Sequence, residues 1–289
     1  MKKFCTSPNI NNKDDAVVGV VVAVLLVGLL LAVILTLQTV FVPNWMEQME
    51  AEHMDKVADQ FALLKFAVDT QTATEKDIPI TTSITLGNKE LPFLSSSRSF
   101  GFLRIASDEC VINITNTTES FVISPGIIKY SSTNAYFLDQ SYTYEAGAVI
   151  SSQSEGNVMF IRPSFFVDYD KVLDEVNISF TPSNIKGTEG KKSVSGYGTY
   201  PIQTNFSRSN ITNIIDIQKI TITTAYSNAW HIFINSTLIK KGLEYSTDFL
   251  ITSTDDEITV DFTLGTSPKV DIYLEVVDIF AQIAPGWIE

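Results

Sequence analysis

From Ala16 to Leu37 the chain runs through 22 residues of Ala, Val, Leu, Ile and Gly, with Thr36 as the one polar residue and no charge. At 1.5 Å rise per residue that is about 33 Å of helix, enough to cross a hydrocarbon core of roughly 30 Å. A helix apolar on every side needs lipid, or a protein partner all round it. The h-region of a cleaved secretory signal is usually about 7–15 residues, and no small-residue cleavage site follows this longer run. The sequence therefore predicts a membrane-spanning helix over 16–42. Ala16 and Leu37 bound the apolar run, and Gly19, Ala23, Gly28 and Ala32 are its small residues.

The flanks predict an orientation. Lys2, Lys3 and Lys13 precede the run, whereas Glu47, Glu50, Glu52 and Asp55 follow it with only Lys56 nearby. Residues 1–42 carry three lysines against two aspartates, and the remainder carries 17 basic against 31 acidic residues. The positive-inside bias keeps residues 1–15 in the cytoplasm and exports the rest. Cys5 and Cys110 then lie on opposite sides of the membrane and cannot pair within one molecule. Six N-x-S/T sequons, at Asn113, Asn116, Asn177, Asn205, Asn210 and Asn235, all fall in the exported part and are candidate glycosylation sites.

Composition narrows the function classes. A net charge of −13 argues against nucleic-acid binding, which needs Lys and Arg to neutralise phosphates. Two cysteines exclude a disulfide scaffold and a multi-cysteine metal site, and two histidines leave little for acid–base chemistry near neutral pH.

After Pro43, which can start or kink a helix, residues 43–70 read as an amphipathic helix. Met54, Val57, Phe61, Leu64 and Val68 recur at 3,4,3,4 spacing and form its apolar seam. Glu50, Asp55, Asp59 and the Glu52/Lys56 pair are assigned to the opposite, polar face. The seam either docks on the chain's own domain or bundles with neighbouring subunits as a stalk, and spacing does not choose between these.

From residue 79 to 289 the pattern changes to period 2, with short strands punctuated by Gly, Pro, Asn and Asp. The expected strands are Ser99–Ile105, Glu109–Ile114, Ser120–Ile123, Ala135–Leu138, Ala146–Ser152, Val158–Arg162, Val176–Phe180, Ile217–Thr223, Trp230–Ile234, Glu257–Leu264 and Val270–Phe280. The last two read as a C-terminal meander, and Ser183–Asn210, rich in Gly, Ser, Lys and Asn, as a loop. The fold class is α+β: a transmembrane helix extended by an amphipathic one, then an all-β, sandwich-like extracytoplasmic domain.

No catalytic, cofactor-binding or metal-ligating set emerges. His53 lies on the amphipathic helix, and His231, on the expected strand 230–234, shares a face with Phe233 and Asn235 and reads as a surface residue. Gly187–Ser193 lacks the spacing of a phosphate loop. Asp168 with Asp170, and Asp255 with Asp256 and Glu257, lack calcium-loop spacing and read as solvated acidic loops. Cys110 reads as a small buried hydrophobe. The expectation is a protein that is not an enzyme.

Lys13-Asp14-Asp15-Ala16-Val17-Val18-Gly19-Val20 and the apolar run after it resemble the class III signal peptide of archaeal type IV pilins and pilin-like proteins. The resemblance implies that a prepilin peptidase removes a basic leader around Lys13, Asp14, Asp15 or Ala16. The helix would stay on the mature protein, anchor it in lipid and associate with itself or with other pilin-like subunits. Tyr144–Ile150, Val158-Met159 and Pro163-Ser164-Phe165 also resemble a segment of archaeal exported pilin-like proteins. The expected function is a membrane-anchored surface protein, single-pass and possible as a filament, that displays a glycosylated head. The alternative is a tethered binding or adhesion module that does not polymerise.

Overall fold

Pro43 does not end the helix begun in the apolar run. The computed structural model describes residues 11–88, 99–265 and 267–283, with side chains from residue 17 onward. Helix α1 spans Asn11–Thr36, a π-helical turn covers Leu37–Phe41, and α2 continues through Val42–Thr74. Proline has no N–H to donate, and its ring crowds the carbonyl four residues back. Widening the turn just before it removes that conflict: Val42 N–H bonds to Leu37 O, five residues back, and the helix goes on. It stops at Glu75, which takes a left-handed conformation (φ 49°) and donates its N–H to Gln71 O.

Among the described residues, seventeen strands and one further helix follow. In chain order the first are β1 Ile80–Thr85, β2 Phe100–Ala106, β3 Val111–Asn116, β4 Ser120–Ile123, β5 Ile127–Thr133 and β6 Gln140–Glu145. Next come β7 Ala148–Gln153, β8 Gly156–Ile161, β9 Phe165–Asp170, β10 Glu175–Phe180, β11 Ser183–Gly187 and β12 Ser193–Gly196. Then follow β13 Thr199–Ile214, β14 Ile217–Thr223, helix α3 Ser227–Lys240, β15 Leu250–Ser253, β16 Glu257–Asp261 and β17 Lys269–Ile283. The chain is α+β, one long N-terminal helix followed by a β-rich head with several sheets.

The strands form three sheets. One has the order β1-β13-β17-β10-β9, with β11 also on β17; the second is β12-β2-β5-β6-β7-β8; the third is β15-β16-β14-β3-β4. Strands β10 and β11 both run parallel to β17, against Lys269–Leu274 and Val277–Ala281 respectively, as one strand interrupted at Thr181-Pro182. The long pair β13 and β17 carries antiparallel register from Ile202↔Ile283 to Ile214↔Ile272 and forms the spine of the head.

Two cores flank this frame. One packs α2 against Ile84, Leu103, Tyr130, Tyr144, Ile202 and the C-terminal half of β17. The other packs α3 against the third sheet and the N-terminal half of β17. Strand β6 serves both: Tyr142 and Tyr144 face α2, while Thr143 and Glu145 face the α3 side through Tyr226, Thr224 and Trp230.

Several expectations from the sequence are corrected. Residues 135–138 form a loop, not a strand. Trp230–Ile234 lies inside α3, because Trp230, Phe233, Ile234 and Leu238 are buried at helical spacing. Residues 183–210 are not a loop: they contain β11, β12 and β13 as far as Asn210, ordered by ladders to β1, β2 and β17. The C-terminal meander does not form, since β16 pairs with β14 and β15 in one sheet while β17 lies in another.

Candidate membrane and assembly helix

The N-terminal helix has a free half and a docked half. Between Val17 and Phe41 every side chain is exposed, including Val24 at 65% and Leu25 at 66%. Val17–Thr74 is a helix long and apolar enough to cross a membrane, with an 18-residue window of mean hydropathy 3.3. Gly19 and Gly28 have nothing within 4 Å of where a Cβ would sit, and Ala23 and Ala32 each follow one of them by four residues. Such spacing lets helices approach closely where lipid gives no hydrophobic drive to associate. The two threonines at its end bond inward, Thr36 Oγ1 to Ala32 O and Thr39 Oγ1 to Leu35 O, each at 2.8 Å. Lys13, Asp14, Asp15 and Ala16 lie on the backbone of α1, and their side chains fall outside the described residues.

The docked half buries one stripe. Met54, Val57, Phe61, Leu64 and Val68 are all at most 1% exposed and belong to the core beside β1, β5, β6 and β17. The stripe continues through Val42 and Met46, so seven large apolar side chains leave solvent on this face. At about 1.5–3 kcal/mol each, their gross contribution is on the order of 15 kcal/mol before ordering entropy. Asp55, Asp59, Glu52 and Lys56 are exposed.

Glu50 is the correction on this helix: it belongs to the buried face, not the polar one. It is 0% exposed, and its carboxylate accepts the backbone N–H groups of Ala135 (3.1 Å), Tyr136 (2.8 Å) and Phe137 (2.7 Å). Those three amides have no ladder partner because the β5–β6 connection is a loop, and the carboxylate supplies what a strand would have supplied. The signal was present in the spacing, since the seam extended backward from Met54 arrives at residue 50.

Other polar groups fix the register of the helix on the head. Gln60 donates to Thr85 Oγ1 and accepts from Thr85 N, while Gln71 donates to the carbonyls of Ile78 and Thr204. Thr85 pairs with Thr199 and Ile80 with Thr204, so β13 runs in the same direction as α2. Eleven helical residues from Gln60 to Gln71 cover about 16.5 Å, which matches five strand residues from Thr199 to Thr204. Beyond Thr204 the strand continues for ten residues, carrying the far end of the head about 33 Å further from the free half. His53 sits at the near end, 6% exposed, its Nε2 3.1 Å from the Tyr130 hydroxyl, which donates to Leu86 O at 2.9 Å. Burial lowers its pKa.

The six sequons are scattered over the head. Asn113 and Asn116 are in β3, Asn177 in β10, Asn205 and Asn210 in β13, and Asn235 in α3. Asn177 and Asn210 are exposed. The others are engaged to varying degrees: Asn113 Oδ1 accepts from Ser120, Asn116 Oδ1 from the amides of Thr118 and Glu119, and Asn205 donates to Asp77. Asn235 has a buried Oδ1 without a hydrogen-bond partner.

His231 lies mid-helix with Nδ1 3.1 Å from Ser253 Oγ. Among the described residues no group of three or more His, Cys, Asp and Glu is placed to hold a metal ion. One polar cluster escaped the sequence analysis. Glu145, 1% exposed, accepts from Trp230 Nε1 at 2.8 Å and from Thr224 Oγ1 at 2.9 and 3.0 Å, and lines a cleft of about 290 Å³ beside Tyr226 and Asp256. Burial is the main reason its pKa rises to about 7, and the neighbouring Cys110 thiol is pushed well up by burial and by this carboxylate. An acidic residue at a strand end gives no sequence signal of burial on both faces. The cluster ties the second sheet to α3.

No curated protein and no solved structure matches the chain. A family model does, over residues 16–280, and it covers both halves of the helix and nearly the whole head; the chain therefore belongs to DUF7289, a family of unknown function.

Proposed function

We propose that this protein is a membrane-anchored, pilin-like surface protein whose exported β-rich head is displayed by one long helix. The observation that carries the reading is the division of that helix: 17–41 is apolar and uncovered, and 42–74 is fastened along the head. A helix apolar all round satisfies its own backbone and finds its solvent in lipid or in a bundle of like helices. The lysines before the span and the acidic residues after it orient the head to the outside. Prepilin-peptidase removal of a leader near Asp14 or Asp15, glycosylation first at the exposed Asn177 and Asn210, and a non-enzymatic role in assembly and display complete the proposal.

A second reading, a tethered binding module that never polymerises, is favoured by one observation. The seam Met54–Val68, which a stalk bundle would need, is spent on the protein's own head. On the helix, 17–41 and the exposed Trp45, Leu63 and Phe66 are left for contacts between subunits.

Intact mass and N-terminal sequence, measured separately on membranes and on sheared surface material, divide these readings. The pilin-like one expects a mature chain starting near Asp14–Ala16 and present in the sheared fraction. A retained leader with the protein confined to membranes would remove it and leave the tethered module.

A further inference from the structure

The end of the head nearest the free half presents exposed aromatic and apolar side chains. Trp45 is 52% exposed, three residues beyond Val42. The β5–β6 loop, held at helix residue 50 by the Glu50 carboxylate, exposes Tyr136 (38%) and Leu138 (58%). Phe100, at 48%, stands at the same end of its sheet, because it pairs with Thr133 just before the loop. Loop tips ordinarily carry small polar residues and no buried charge to hold them. Here a fully buried carboxylate and three backbone amides are committed to keeping this loop against the helix.

The lengths indicate what covers this edge. From Ala16 to Val42 the stretch without charge is 27 residues, about 40 Å of helix against roughly 30 Å of hydrocarbon, with Gln38 and Thr39 as polar residues near its outer end. Excess length is absorbed by tilting the helix, by thickening the bilayer or by letting the outer end stand proud of the hydrocarbon. Tilt lowers one flank of a head rigidly fastened to the helix. Trp45 lies about 5 Å past Val42, inside a headgroup layer of roughly 5–8 Å, where Trp and Tyr place an apolar ring beside a wet polar atom. The rim is continuous with the span; helix residues 42–47 and loop 134–139 carry no lysine or arginine, and their exposed charges, Glu47 and Asp139, are acidic, so its contact is with interfacial lipid through burial and not through attraction to anionic headgroups.

We propose that loop 134–139, clamped by Glu50, joins Trp45 as a membrane-resting rim that sits in the headgroup layer and sets the tilt of the head. This rests on the membrane-anchor reading above. The test uses the full chain with Cys5→Ser, carrying a nitroxide at Leu138→Cys, Val172→Cys or Leu26→Cys, in phosphatidylcholine vesicles. Cys110 is fully buried and stays unlabelled. Depth is read from relaxation by oxygen, which partitions into lipid, against a polar nickel complex. Val172, 92% exposed in the β9–β10 turn, belongs to the far end of the head and serves as the aqueous reference. The expected result is an oxygen-to-nickel ratio at 138 severalfold above that at 172, below that at 26, and lowered when Glu50→Ala releases the loop. A label at 138 as aqueous as 172, with 26 in hydrocarbon, overturns the rim and leaves the anchor standing. A label at 138 shielded from both reagents places a second copy over the edge and also overturns it. An aqueous label at 26 removes the anchor reading and the rim with it.

Discussion

The two halves of the N-terminal helix share one backbone and differ in what surrounds them. Between 17 and 41 no side chain is covered; between 42 and 71 every third or fourth residue is buried in the head. The free half has no stripe, because an all-round apolar surface has no preferred face. The docked half has a stripe because only one side meets protein. Pro43 and the π-helical turn lie at the boundary, so the chain changes support without breaking. On the membrane-anchor proposal, stability of the first half is a matter of lipid or of neighbouring helices, whereas stability of the second is a matter of packing on the head.

Substitutions that hit one half and spare the other test this division. Phe61→Ala empties a fully buried position and should cost the head about 4 kcal/mol in thermal or urea unfolding, while membrane retention is unchanged. Leu26→Asp should do the reverse: insertion becomes less favourable by about 3 kcal/mol, seen as loss from the membrane fraction, with the head's melting unaltered. If either variant moves both readouts together, the two halves are not independent.

The two clusters built on buried carboxylates are tested in different ways. Glu145 has a folded-state pKa raised to about 7 against an ordinary 4.5, so the folded protein holds the proton more tightly. Stability is then greatest below about 4.5 and falls as pH rises through 7, by roughly 3 kcal/mol in all. Glu145→Gln should flatten that part of the slope in denaturant titrations at pH 4.5 and pH 8; an unchanged slope would mean that another group sets it. Glu50 instead carries a mechanical load, and Glu50→Ala leaves three amides without an acceptor. About 2 kcal/mol of head stability and faster exchange at the amides of 135–137 are expected.

The smallest effect belongs to the junction. Pro43→Ala restores an N–H that can reach Thr39, so the wide turn at 37–41 should tighten and its amides exchange more slowly, with a change in head stability under about 1 kcal/mol. A turn that stays wide without the proline would place its cause in the packing of Val42 and Met46.

What the sequence disclosed follows from the range of the forces involved. The apolar run and the 54–68 seam are periodic and local, so each was legible from its own residues. Strands with clean alternation, such as 120–123 and 217–223, were legible for the same reason. Glu50 was misplaced because its charge outweighed its position on the seam. Trp230–Ile234 alternates like a strand over five residues, and only Leu238 reveals the helical period. Residues 183–210 look like a loop by composition, yet β13 is ordered by partners about 60 or more residues away, β17 among them. The assignment of β16 and β17 to different sheets, and the burial of Glu145 between β6 and α3, are likewise decided by long-range pairing that no local pattern contains.

The claim that one helix has two independent supports is tested most directly by hydrogen exchange on the intact protein in lipid nanodiscs, followed through a urea series. The account predicts that amides of 46–71 lose protection together with β13 and β17, at the urea concentration where the head unfolds, while amides of 20–36 stay protected beyond it. Loss of protection at 20–36 in step with the head, or survival of 46–71 after the sheets have opened, would contradict it.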